Sequence, residues 1–281
     1  MSAARLTGAF AALGLVCLAL TAAAQSPPEE ESPLARLGWV PGPATGELGQ
    51  MAQVEVPEGF LYLDGKDTRT FLKTIGNVPD GSEQGMLLNA EKQWFVVFDF
   101  AAEGYVRDDD KDDIDADEIL DAMKEGTVAS NERRRTLGLN TLTLLGWAKP
   151  PHYDAETNLL EWAITLKDDT DGGESINHQA RLLGRRGIMN ATLVCDPSEF
   201  EGALGTYHGI LGKYEFKDGH RYAQYVSGDK VAEYGLTGLM LGGAAVIGAK
   251  SGFFKAIWKF LVFGVLAIGA FVKRLFGRGE A

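Results

Sequence analysis

Apolar residues along this chain follow three regimes: a compact apolar run near each end and, between them, a globular pattern of short alternations and helical stretches. Val54 and Val56 predict a strand that stops at the Pro57-Glu58-Gly59 turn. Asp64 is placed to cap a short helix reaching Ile75, with Gly76 behind it. Residues 94–100 (WFVVFDF) are aromatic and β-branched, which predicts a central strand. The longest helix opens at Asp115 and runs to about Leu137, where Gly138 ends it.

After that helix the period changes to two. Leu142–Ala148 reads as a strand entering a long loop, residues 150–158. Leu160, Trp162, Ile164 and Leu166 alternate on one strand, Ile176, His178, Ala180 and Leu182 on a second, Met189, Ala191 and Leu193 on a third. The links at 168–173 and 184–187 are too short for parallel crossovers, so the three form an antiparallel meander. Asp196-Pro197-Ser198-Glu199 starts a helix to about Leu211, and segments 214–216 and 222–226 finish the body. The expectation is one α+β domain, an antiparallel sheet with packed helices, over 48–230.

Both ends read as membrane-directed. Residues 1–24 form a signal-peptide pattern: Arg5, the apolar run Ala9–Leu20, and Ala22-Ala23-Ala24 before Gln25. Residues 25–47 begin with QSPPEEESP, the composition of a flexible leader. Residues 231–272 hold two apolar stretches, Gly235–Ala249 and Ala256–Val272, and 273–281 form a basic tail. The second stretch is the better span, with Lys259 near one end and Lys273-Arg274 at the other. Gly238, Gly242 and Gly248 give the first a small-residue face suited to close helix contact. The expected anchor is therefore one transmembrane helix or a helical hairpin, and the positive-inside count leaves both open.

Charge sharpens this division. The net charge is −12, yet residues 1–24 carry only Arg5, and the segment after Glu233 carries six basic residues against Glu280. The body is thus more acidic than the whole, which argues against nucleic acid as a partner. Cys17 lies in the signal-like run, so Cys195 is the one cysteine of the expected mature chain and no disulfide staples it.

Candidate chemistry is sparse. The acidic segment 108–118 fails as an EF-hand: counted from Asp108, Asp113 stands where glycine is required and Ile119 where glutamate is required. Acids at the start and Arg133-Arg134-Arg135 at the end instead complement the dipole of the long helix. His178 and His208 are conceivable bases for Cys195, but no spacing joins them, and His178 reads as a hydrogen-bonded core residue. No metal, cofactor or catalytic set emerges. Two features point to binding: Arg185 and Arg186 between glycines at a hairpin tip, suited to an anion, and His152 and Asp154 in the 150–158 loop.

Five blocks, residues 94–100, 104–120, 146–163, 181–194 and 228–239, resemble a bacterial family of membrane-anchored proteins called domain of unknown function 2167. The resemblance implies an envelope location and an anchor, and supplies no reaction. The order of elements is also similar to exported proteins of the photosystem P-subunit and Mog type, which implies an α/β/α sandwich. The leading expectation is a non-enzymatic periplasmic domain on the bacterial inner membrane, with the lipid bilayer and another envelope protein as partners. The alternative is a ligand-binding or enzymatic domain using the 150–158 loop and the Arg185/Arg186 hairpin.

Overall fold

The computed structural model describes residues 33–92 and 94–241. The expected signal peptide (1–24), the first part of the leader, the apolar stretch Ala256–Val272, the basic tail, Gly242 and Gly248 lie outside the described residues.

In chain order the first elements are β1 (Val40–Pro41), β2 (Ala44–Leu48), β3 (Ala52–Val56), β4 (Phe60–Asp64) and α1 (Gly65–Thr74). Then follow β5 (Glu83–Asn89), β6 (Phe95–Ala101), α2 (Ala116–Thr136), β7 (Leu142–Asp154) and β8 (Leu159–Asp168). The last are β9 (Glu174–Leu183), β10 (Ile188–Cys195), α3 (Phe200–Leu211), β11 (Tyr214–Phe216) and α4 (Leu236–Met240). Eight strands pair in the order β1-β4-β5-β6-β10-β9-β8-β7, and a small sheet pairs β11-β3-β2. Every strand pairing in both sheets is antiparallel.

The large sheet is covered on both faces. On one, α3 and the small sheet close a core around Phe98, Ala180, Ala191, Leu193 and Tyr207. On the other, α1 packs Phe71 and Leu72 against Phe95 and Val97, while α2 packs Ile119 and Met123 against Trp162 and Ile164. This is an antiparallel sheet with packed helices, as expected, and the meander β8-β9-β10 keeps the expected order. Asp64 and Asp115 cap α1 and α2 through their carboxylates, and Gly76 and Gly138 take positive φ just past the helix ends.

Three boundaries differ from the sequence reading. Residues 33–47 are part of the fold: Leu34 is buried against Phe71, and β1 and β2 join the two sheets. Apolar residues were too few there to outweigh the Pro- and Glu-rich composition just before them. The expected 150–158 loop is mostly strand, since β7 continues to Asp154 and turns at 155–158. Pro150 and Pro151 fit there because β7 is the last strand of the sheet and is bulged at three places.

The third difference is the boundary at 231. Val231 bridges Tyr105, and Leu236, Leu239 and Met240 are buried beside Val106 and Ile119 in the α2 core. Asp110 accepts hydrogen bonds from Leu236 N (2.8 Å) and Thr237 N (3.1 Å). Gly238 sits against Tyr234, close enough that a Cβ would meet its side chain at 2.6 Å. Among the described residues, then, the neighbour of this glycine is Tyr234. No helix among the described residues is long and apolar enough to cross a membrane.

Candidate functional site

The groups singled out from the sequence are dispersed and mostly occupied. Arg185 makes two bonds to Asp229, Nε to Oδ2 at 2.6 Å and Nη2 to Oδ1 at 2.9 Å, so its guanidinium already holds a carboxylate. Asp229 is held down to about 2 by that arginine and by the Val226 N–H. The anion grip expected of Arg185 is thus satisfied internally, and Arg186 beside it is exposed. Asp154 accepts from Glu156 N and Thr157 Oγ1, both at 2.8 Å, and so builds the β7–β8 turn. His152 is exposed, paired in register with Glu161. Cys195 is buried, and burial pushes its thiol up to about 12, which makes it a poor nucleophile.

The polar cluster that the fold does assemble is built on β8, β9, β7 and α3. Glu161 of β8 lies on the same sheet face as Ala163, and Ala163 pairs with His178 of β9. Glu161 and His178 are therefore diagonal neighbours. His208 comes from α3, which crosses this face. Glu161 Oε2 stands 2.9 Å from His208 Nε2 and 3.4 Å from His178 Nε2, while Oε1 accepts from Lys149 Nζ of β7.

Burial differs sharply within the cluster. The His178 side chain is 0% exposed and that of Glu161 9%, whereas His208 is 41% exposed. Phe200 and Tyr207 pack edge-on to the His178 ring, at centroid distances of 5.9 and 5.0 Å, and fix its position. Neither His178 nitrogen has a hydrogen-bond partner among the described residues. Burial lowers the His178 imidazole to about 4, so it is neutral at pH 7. Burial pushes Glu161 up, but the Lys149 and His208 bonds outweigh it and leave the carboxyl below its usual range, hence ionised.

His208 is also a wall residue of a cleft of about 600 Å³. Leu159, Leu182 and Leu211 line it from the sheet and α3, and Tyr214, Phe216 and Tyr222 from the segment after α3. Its charged and polar groups besides the tyrosines are His208, Glu215, Arg221 and the turn residues Asp154, Thr157 and Asn158. A largely apolar hollow with a few polar groups is the common form of a small-molecule site. The 150–158 segment, expected as a binding surface, contributes its last residues to this wall.

Sequence spacing does not reveal the cluster, because Glu161, His178 and His208 are 17 and 30 positions apart on three elements. One signal is available. Glu161 shares its strand face with Leu159 and Ala163, and these two apolar residues hint that this face is covered as well.

No curated protein matches this chain. Among solved structures it is similar to the solution structure of cyanobacterial PsbP (CyanoP) from Synechocystis sp. PCC 6803, at 9% sequence identity and a TM-score of 0.38. That similarity covers 63% of this chain and 95% of that one, and is too loose to carry an argument about the site. The sequence match is decisive where the structural one is not: residues 41–272 fit the family described as protein of unknown function DUF2167, and the chain belongs to that family.

Proposed function

We propose that this chain is an envelope-anchored, non-enzymatic binding domain, whose cleft takes a small molecule with an apolar body and a carboxylate end. The observation that carries the binding role is the cleft itself, whose volume and apolar walls suit such a body. Arg221 and His208 are the wall residues able to face a carboxylate. Support for the envelope location comes from the signal-like residues 1–24 and the apolar stretch 256–272.

The test uses full-length protein in nanodiscs and a ten-carbon carboxylate bearing a photoactivatable diazirine. Illumination is expected to label peptides carrying Leu159, Leu182 and Leu211. Ala223 is an exposed residue on the cleft wall, so Ala223→Trp fills the cleft without touching the core. Labelling of those peptides should fall at least ~10-fold in this variant with an unchanged melting curve. Equal labelling in the filled variant, or labelling spread without preference over the surface, overturns the proposal.

A further inference from the structure

We infer that Glu161, His178 and His208 form a binding site for a divalent transition-metal ion of the zinc class. Each offers one donor atom, and the three atoms all lie within 4.8 Å of one another. Zinc takes imidazole nitrogen and carboxylate oxygen at about 2.0–2.2 Å, which sets neighbouring tetrahedral donors about 3.3–3.6 Å apart. Glu161 Oε2 and His178 Nε2 are already 3.4 Å apart. His208 Nε2, at 2.9 Å from the same oxygen, must withdraw by a few tenths of an ångström. It is the exposed member of the three and has room to do so.

The second observation is His178 itself. A buried imidazole usually donates or accepts at least one hydrogen bond, because leaving it unmade costs about 1–3 kcal/mol. This ring makes none among the described residues, although it is 0% exposed, and its Nε2 is the atom nearest Glu161. A metal ion at the centre of the three donors gives that nitrogen its partner. Lys149 on the other Glu161 oxygen holds the carboxylate in orientation, in the manner of an outer-shell group.

Donor chemistry selects the class of ion. Two imidazoles disfavour calcium and magnesium, which prefer all-oxygen shells, and favour zinc, copper, nickel or cobalt. Three protein ligands leave one tetrahedral position for water or a ligand. Lys149 and a dication together outweigh the one carboxylate, so an anionic donor is favoured there. Because His208 is also a cleft wall residue, the site borders the cleft, but zinc binding does not depend on the cleft proposal.

Full-length protein stripped with a chelator is titrated with zinc chloride against a chromophoric competitor, and bound metal is counted by mass spectrometry. One zinc per chain is expected, with cobalt(II) giving the visible absorption of a tetrahedral site. His208→Ala should weaken zinc binding by roughly 100-fold or more, beyond the effect of losing an outer-shell group. His208→Cys should stay within roughly 10-fold of the natural chain, since thiolate is a zinc ligand. His208 is half-exposed and Lys149 still holds Glu161, so both variants are expected to fold, with metal-free melting curves as the check. Absence of stoichiometric zinc in the natural chain, or equal affinity after His208→Ala, overturns the inference. The titration contains no carboxylate probe, so its outcome is separate from that of the cleft experiment.

Discussion

Asp99 is where a single side chain carries the largest testable consequence outside the cluster. It lies on β6 directly across from Glu83 of β5 and from Asn190 of β10. Burial raises its carboxyl to about 6, although it accepts from Asn190 Nδ2 at 2.6 Å and Arg181 is near. An unfolded aspartate titrates near ~3.9, so between about pH 4 and pH 6 the folded chain binds more protons than the unfolded one. Folding stability should therefore fall as pH rises through that window, then level off. Asp99→Asn keeps an acceptor for Asn190 and removes the charge. Its stability relative to the natural chain should increase from pH 4 to pH 7, read by urea melts at both values. A difference independent of pH would show that Asp99 titrates normally. Glu161 presents the opposite balance: it too is buried, but Lys149 and His208 keep it charged. Partners, more than burial alone, decide which carboxylates remain ionised.

At the scale of elements, the local signals that proved legible are those whose cause is local. Asp115 accepts from Asp117 N and Glu118 N, both at 3.0 Å, and α2 begins there as its sequence predicts. The β8-β9-β10 meander was legible because its turns are short and its strands carry regular apolar positions. Less legible was the face to which each strand points. Trp162 and His178 both read as inward-facing, yet Trp162 belongs to the α2 core and His178 to the α3 face. When both faces of a sheet are covered, alternation no longer separates core from solvent. Trp162 is buried between α2 and the Arg181 guanidinium, which lies 4.8 Å from its ring centroid. Trp162→Ala should cost ~3–5 kcal/mol in chemical denaturation. A loss below ~0.5 kcal/mol would remove it from the core.

For the whole molecule, the division between body and tail moves from residue 231 to beyond residue 240. A chain ending at Glu233 loses Leu236, Leu239 and Met240, and leaves Ile119 and Val106 without those neighbours. It also strands the Asp110 carboxylate that caps α4. Compared with a chain ending at Leu241, it should be less stable by at least ~3 kcal/mol. Equal midpoints for the two truncations would restore the boundary at 231. Much of the acidic run falls into place at this scale. Asp110 holds α4, Asp108 accepts from the Tyr153 hydroxyl at 3.0 Å, and Asp115 caps α2.

The sequence by itself determined the helix caps, the central strand, the meander and the two apolar ends, because each depends on neighbours a few residues away. Family membership was equally readable, since it rests on blocks of contiguous residues. Tertiary structure alone decided the rest. It brought Glu161, His178 and His208 together, paired Arg185 with Asp229, joined residues 33–47 to the sheets, and drew residues 236–240 into the body. In each of these, the partner lies in a distant segment, and strand register and helix placement bring the two together. A spacing rule reads only what the backbone repeats locally, whereas these contacts come from how faces are covered once the sheet has formed.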